Sequence, residues 1–437
     1  MKISVIGCGY LGAVHAASMA QLGHDVVGVD VDVAKVEALA SGSAPIFEPG
    51  LEDLLRAGAA SGRLAFSTDA AAVRGARVHF VAVGTPQRRG ENAADLTYVD
   101  AAVEGLLPHL RPGDLVVGKS TVPVGTAARL QARLDEAGSG ATLAWNPEFL
   151  REGFAVQDTI SPDRLVYGVP PGRRGEEARA LLDEVYADAI GRDTPLIVTD
   201  FATAELVKVA ANAFLATKIS FINAMAEIAD AAGGDVTALA DAIGHDARIG
   251  RRFLNAGIGF GGGCLPKDIR AFAARAEELG RGESTAFLKE VDAINLRRRQ
   301  QMVDMVVESL GGVVYQKKVA VLGLAFKPES DDVRDSPALD VAVRLNGLGA
   351  HVVATDPAAI PNSLRMHPQL GFATDTLDAL RGADAVVLVT EWPEYRALDP
   401  VAVGGLVSAK LVLDGRNVLD AGAWRAAGWT YRGMGRP

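Results

Sequence analysis

At 437 residues the chain has room for two to three domains, each with its own core. A composition of 49% apolar and 22% charged residues is that of an ordinary globular protein, and a formal charge of -10 argues against nucleic acid or an anionic membrane as the main ligand. Two cysteines, Cys8 and Cys264, rule out a disulfide framework, lack metal-ligand spacing and suit a reducing cytoplasm, so no metal is expected. Glycines at 7, 9 and 12, with His15 and Gln21, interrupt the apolar amino-terminal stretch. No run approaches the roughly 20 apolar residues of a membrane span, so neither a targeting nor a transmembrane segment is expected.

Residues 2 to 6, Lys-Ile-Ser-Val-Ile, read as a buried strand that runs into Gly7-Cys8-Gly9-Tyr10-Leu11-Gly12 and an alanine-rich helix to about Leu22. His24 to Asp30 reads as a second strand ending in an acid. Together these form a dinucleotide-binding unit. The glycines permit a tight turn and close approach of a pyrophosphate, the helix amino end attracts it, and Asp30 accepts from the ribose hydroxyls. A carboxylate there repels a 2'-phosphate, which favours NAD over NADP. Cys8 within the turn is a small filler.

Further strands at Val78 to Val83, Leu115 to Gly118 and Leu143 to Trp145 alternate with helical patterns, as a doubly wound parallel sheet requires. Their carboxyl ends carry Gly84-Thr85-Pro86, Lys119-Ser120-Thr121 and Asn146-Pro147-Glu148, where ligands of such sheets bind. Thr121 and Glu148 are placed to face the nicotinamide end of a dinucleotide, although both residue types also serve as plain turn and cap residues.

From Asp200 about 30 residues of helix formers run without glycine or proline to Gly233. Lys208 and Asn212, four apart, share one face of this helix among apolar neighbours. Its length and apolar character suit an interdomain connection or a dimer interface. Arg248-Ile249-Gly250-Arg251-Arg252 is a basic cluster, either a solvated surface or a holder of phosphate or carboxylate.

Residues 260 to 268 read Phe-Gly-Gly-Gly-Cys-Leu-Pro-Lys-Asp. The glycines let a ligand approach the backbone, and a helix beginning at Pro266 sets Cys264 beside its positive end, which favours the thiolate. Asp268, one turn on, is placed to handle a proton. The plainer reading is a buried cysteine after a flexible loop. From Lys318 the chain begins again: Lys318 to Gly323 resembles Lys2 to Gly7, His351 to Asp356 resembles His24 to Asp30, and Ala383 to Thr390 resembles Ala76 to Val83. This second nucleotide fold lacks the second and third glycines, so a different ligand is expected, with Lys327 and Arg416 offering cations. The expected architecture is α/β: two Rossmann-like doubly wound domains joined by a long central helix and a helical middle domain, with boundaries at 1–198, 199–300 and 301–437.

With these pieces in place, the chain resembles from end to end the nucleotide-sugar dehydrogenases that oxidise UDP-glucose or GDP-mannose. The resemblance rests on Gly7 to Gly12, Pro45 to Leu51, Val83 to Pro86, Ser120 to Pro123, Asn146 to Gly153, Ala211 to Lys218, Gly259 to Asp268 and Phe326 to Arg334. It implies removal of four electrons by two NAD, from sugar alcohol through aldehyde and cysteine thioester to carboxylate. It assigns Cys264 as nucleophile, Lys208 as oxyanion cation with Asn212 beside it, Asp268 and Thr121 to the catalytic water, and Glu148 as base for thioester hydrolysis. The cofactor positions it implies are Gly7, Gly9, Tyr10, Leu11, Gly12, Asp30, Lys35, Thr85, Pro86, Thr121, Glu148, Lys267 and Arg334. The substrate positions are Phe149, Leu150, Arg151, Glu152, Lys208, Asn212, Arg248, Phe253, Asn255, Phe260, Gly261, Phe326, Lys327 and Arg416. Arg248 matches an arginine that reaches the sugar site of a neighbouring subunit, which implies at least a homodimer.

Ala211 to Phe221 and Thr390-Glu391-Trp392 look more like the UDP-glucose branch than the GDP-mannose branch, so UDP-glucose is the expected substrate. GDP-mannose or a UDP-N-acetylhexosamine under the same chemistry is the nearest alternative. An ordinary two-electron dehydrogenase would not need Cys264 or a second nucleotide fold, and an NAD-binding sensor without turnover would lack a catalytic group, whereas all are present.

Overall fold

The computed structural model describes residues 1–436 and divides into two compact units, Met1–Ala211 with Ala274–Gly280 and Asn212–Ala273 with Arg281–Pro437. In the first unit eight strands form one sheet: β1 (Lys2–Ile6), β2 (Asp25–Val29), β3 (Leu64–Ser67), β4 (Val78–Val81), β5 (Leu115–Gly118), β6 (Thr142–Trp145), β7 (Leu165–Gly168) and β8 (Leu196–Thr199). Their order is β3-β2-β1-β4-β5-β6-β7-β8. The strands are parallel through β6. β7 then meets β6 antiparallel at Trp145 and Gly168, and β8 runs parallel to β7.

The central strands are buried along their whole length, because helices cover both faces of a parallel sheet and leave no polar side to alternate. One face packs Ile3, Val5, Val14, Met19, Leu55 and Phe80, and the other Val81, Val99, Val116, Leu130 and Trp145. Strand order reverses between β1 and its neighbours β2 and β4, so the glycine turn after β1 lies at the switch point where such sheets bind ligands. β3 and β8 are partly exposed edge strands, and neither they nor the buried β7 were read from the sequence, since strands of four residues are too short for periodicity alone to mark.

The second unit contains a fully parallel six-stranded sheet, β11-β10-β9-β12-β13-β14, built from β9 (Lys318–Leu322), β10 (His351–Thr355), β11 (Gly371–Phe372), β12 (Ala385–Leu388), β13 (Leu411–Asp414) and β14 (Thr430–Gly433). Val319, Val321, Leu339, Val387 and Leu413 anchor its core. The restart of the chain at Lys318 therefore produces a second Rossmann-like sheet, as expected.

The long helix, Phe201–Ala232, has 32 residues and belongs in part to each unit. By length and composition alone it could cross a bilayer, its most apolar stretch having a mean hydropathy of 1.3, although Lys208, Asn212, Lys218 and Glu227 keep it from being a continuous apolar run. Its many alanines raise that average, while it also buries polar side chains. Ser220 Oγ donates to Val291 O at 2.7 Å and Asn223 Oδ1 accepts from Gly257 N at 2.9 Å.

Candidate active site

In the first unit, Gly7 adopts φ 87° and Gly9 caps the helix Tyr10–Gln21 with no atom near its missing side chain. A Cβ at Gly12 would stand 1.7 Å from Gly7 O, so the turn tolerates only glycine there. The open space at Gly9 and the uncapped amides of the helix are what a pyrophosphate requires. Asp30, at the end of β2, is buried and accepts from Cys8 N at 2.8 Å, Asp32 N at 3.0 Å and Lys35 Nζ at 3.0 Å. Burial alone would raise its carboxyl, but these donors outweigh burial and hold it below the usual carboxylate range. Asp30 is thus an ionised acceptor at the ribose position, and this set of residues fits NAD.

Glu48, within the stretch Pro45 to Leu51, is buried. Its carboxylate accepts from Gly153 N at 2.7 Å and Val156 N at 3.3 Å and takes the Tyr10 hydroxyl as a further donor. Tyr10 is thereby tied to the loop after β6, and burial together with the Glu48 carboxylate pushes its phenol far above its ordinary value. An acid flanked by prolines in Pro45 to Leu51 was the available signal, but nothing local said what it would hold.

Thr85 Oγ1 donates to Thr121 O at 2.8 Å, and Ser120 Oγ donates to Val83 O at 2.6 Å, so the loops after β4 and β5 are laced together. After β6, Glu148 forms an ion pair with Lys208 at 2.9 Å and accepts from Leu150 N at 2.6 Å. Lys208 Nζ lies 5.6 Å from the centre of the Phe149 ring, over which the Arg164 guanidinium stacks at 3.7 Å. Arg151 is engaged by Asp158 through a pair at 2.6 Å. A small cavity beside Glu148 and Phe149 is lined by His15, Lys119 and Asn146. Lys119 donates to Asn146 Oδ1 at 2.9 Å and to the Tyr186 hydroxyl at 3.2 Å, and burial pushes its ammonium down to about 8.

In the second unit Cys264 is exposed, immediately before the helix Leu265–Glu278, and its carbonyl accepts from Asp268 N at 3.0 Å. The helix starts one residue earlier than expected, with Pro266 in its first turn, and Cys264 at its amino end is not the buried filler of the plainer reading. Asp268 is buried. Its Oδ2 accepts from Asn212 Nδ2 at 2.7 Å and its Oδ1 from Lys267 Nζ at 2.5 Å.

The glycines before the cysteine have a different reason from the one expected. A Cβ at Gly261 would meet Asp335 O at 2.3 Å, one at Gly262 the Phe326 ring at 2.8 Å, and one at Gly263 the Arg334 guanidinium at 2.4 Å. The close approach is made by the chain's own segment 326–335, and Gly262 N donates to Arg334 O at 2.9 Å.

Arg416 was expected to offer a cation to a ligand. It donates instead to Val389 O at 2.8 Å, Gly259 O at 2.9 Å and Phe326 O at 3.2 Å, and fastens the segment before the cysteine. Phe260 is buried, with its amide and carbonyl held by Asn295 at 2.7 Å and 2.9 Å. Lys327 Nζ lies 5.5 Å from the centre of the Phe326 ring. Arg334 pairs with Asp332 at 2.6 Å. Arg248 is highly exposed and pairs with Asp246 at 2.6 Å, while Asn255 accepts from Arg251 at 2.7 Å and Phe253 takes φ 66°.

The second sheet repeats the acid of the first and fills its place. Asp356 accepts from Leu324 N at 2.7 Å, Ala325 N at 3.0 Å, Ala359 N at 2.8 Å and Trp392 Nε1 at 3.1 Å, so the carboxylate that would meet a ribose is engaged by the protein itself.

Three family profiles match the chain. The UDP-glucose/GDP-mannose dehydrogenase family's NAD binding domain covers residues 1–190, its central domain 202–297 and its UDP binding domain 320–421. A UDP-glucose 6-dehydrogenase of Rhizobium meliloti (strain 1021) is 43% identical over all of both chains. One of Bacillus subtilis (strain 168) is 42% identical over all of this chain and 93% of its own length. Among solved structures, a UDP-glucose dehydrogenase from the hyperthermophilic archaeon Pyrobaculum islandicum superposes with a TM-score of 0.90 at 40% identity, covering 100% of this chain and 98% of that one. The glycine turn, the acid at Asp30, the exposed cysteine at a helix start and a second sheet closed to a dinucleotide all agree with these matches: the chain belongs to the UDP-glucose/GDP-mannose dehydrogenase family and uses NAD.

Proposed function

We propose that the chain oxidises UDP-glucose to UDP-glucuronate, with two NADH formed per substrate and Cys264 as the covalent nucleophile. The observation that carries this reading is Cys264 itself, exposed at the amino end of the helix Leu265–Glu278, with the buried Asp268–Asn212 pair one turn into that helix. Full-length similarity to proteins named UDP-glucose 6-dehydrogenase supports the choice of sugar nucleotide. NAD, when bound, supplies the hydride acceptor.

The remaining chemistry falls to the chain's residues. The sugar C6 alcohol gives up a hydride and a proton to become an aldehyde. The Cys264 thiolate adds to that carbonyl, and the resulting thiohemiacetal gives up a second hydride to become a thioester. Water then attacks the acyl carbon, the carbon–sulfur bond breaks, and a carboxylate leaves as the thiolate returns. Lys208 stabilises the oxyanions that form at each addition, as a buried ammonium in low dielectric does strongly. Glu148 serves as base for the hydrolysis, and Thr121 and Asp268 orient the water. A homodimer goes with this reading, because the long helix exposes Phe214, Phe221 and Ile228 at seven-residue spacing, an apolar stripe suited to a second copy. A reducing, cytoplasmic setting suits a thiolate nucleophile.

Counting NADH per UDP-glucose consumed tests the reading. Two are expected for the native protein, with Cys264→Ser unable to reach the carboxylate. A count of one would remove the four-electron route, and turnover of GDP-mannose but not UDP-glucose would overturn the substrate.

A further inference from the structure

We propose that Glu205 is a positioning residue for the oxidation described above, a clamp that sets the helix carrying Lys208 against the loop carrying Thr121. Its side chain is buried at 2% exposure on the long helix, and it reaches out of that helix entirely. Oε2 accepts from Gly125 N and Oε1 from Ala127 N, both at 2.7 Å. These amides open the helix Thr126–Glu136, where unsatisfied N–H groups require an acceptor.

The usual acceptor is the side chain of the capping residue, but the cap here is Gly125. At φ 99°, with Arg275 Nη2 only 3.2 Å from any added Cβ, that position suits glycine alone. The cap is therefore supplied by a second helix, and the helix that supplies it is held in register. Three residues further along the long helix Lys208 meets Glu148 at 2.9 Å, and four residues before Gly125 the Thr121 carbonyl accepts from Thr85 at 2.8 Å. A bonded path thus runs from the loop after β4 through the Thr121 loop and Glu205 to the turn that bears Lys208.

Two donors face Glu205, so both of its oxygens must accept, and only the carboxylate does this fully. A glutamine would turn an NH2 group toward one amide and lose that bond. Burial pushes the Glu205 carboxyl up to about 7, against the lowering effect of the Ala127 and Gly125 amides and of Arg275. The charged group acting on it is Arg275, which also donates to Val124 O at 3.0 Å and pairs with Glu278 at 2.7 Å; on the two helices that the clamp joins, Lys208 is paired with Glu148 and Arg129 with Asp100 at 2.7 Å. The clamp is closed when Glu205 is ionised. Activity that depends on it rises with pH through about 7 and falls on the acid side.

The proposal rests on the catalytic roles given to Lys208 and Thr121, and the test separates the two. In Glu205→Gln, kcat on UDP-glucose falls roughly tenfold or more while KM for NAD stays within about threefold, as expected when geometry and not binding is lost. The acid limb of kcat near pH 7 disappears in the variant. NAD-binding stoichiometry gives the folded fraction, so a purely structural glutamate would lower that fraction and leave kcat per folded site and its pH limb unchanged, which overturns the proposal. In the native protein, amide exchange of the segment 124–128 gives a reading independent of the variant's folding and of the substrate. Protection that weakens below pH 7, beyond the intrinsic pH effect, supports the clamp, and protection that follows the intrinsic rate from pH 5.5 to 8.5 excludes it. A native protein that makes no NADH from UDP-glucose defeats the catalytic reading, and the exchange result still decides the clamp.

Discussion

At the residue scale, the turn after β1 and the lysine after β5 show how differently two side chains announce themselves. Gly12 was legible, because strand, glycines, helix and a distant acid occur together, and a Cβ at Gly12 would stand 1.7 Å from Gly7 O. Gly12→Ala is expected to weaken NAD affinity by at least about tenfold, measured by fluorescence titration; unchanged affinity would mean that the turn can reshape. Lys119 was read only as part of a polar strand end, since nothing in Lys-Ser-Thr says that its ammonium enters the core beside Tyr186 and Phe80. Burial holds Lys119 at about 8, below its ordinary 10.5, so the folded state pays for the charge below pH 8 and is relieved as pH climbs toward 10.5. Lys119→Met should therefore lack this slope. Between pH 8 and 10 the native protein gains stability relative to the variant, on the order of 1–3 kcal/mol, in parallel urea titrations. Curves that stay parallel would show that the lysine carries no such burden.

At the element scale, the segment before Cys264 illustrates a correct residue type with a misjudged cause. Gly261 to Gly263 were taken as an opening for a ligand, yet the atoms they admit are Asp335 O, the Phe326 ring and the Arg334 guanidinium. A glycine pattern reports that something comes close and is silent on what, because the neighbour is more than sixty residues away in sequence. The second Rossmann turn makes the complementary point. Its missing glycines pointed to a ligand other than a dinucleotide, in keeping with the UDP binding domain profile, but only the folded chain shows Asp356 bonded to the amides of Leu324, Ala325 and Ala359 and to the Trp392 indole. Asp356→Ala leaves these buried donors unpaired and is expected to cost about 2–4 kcal/mol of stability in chemical denaturation. NAD affinity should be unaffected, and a loss of NAD binding without loss of stability would contradict this account.

At the scale of the whole molecule, Phe214, Phe221 and Ile228 form an exposed apolar stripe along the long helix. Phe221→Glu places a charge in its middle, and under the proposed homodimer it is expected to shift the protein toward monomer in sedimentation at micromolar concentration; an unchanged mass would remove this stripe as the contact between copies. The sequence by itself determined the two sheets, the helix of about 30 residues between them in the chain, the glycine turn with its acid, and the cysteine placed at a helix start. Each of these is written locally, as a period of apolar residues, a glycine where no Cβ fits, or a reactive side chain at a helix start. Only the tertiary structure decided that Glu48 ties Tyr10 to Gly153, that Arg416 fastens carbonyls, that β7 reverses against β6, and that Glu205 caps a helix some eighty residues before it. Buried polar groups must find partners, and the partners they find are set by which distant segments packing brings together, a relation that no local pattern along the chain records.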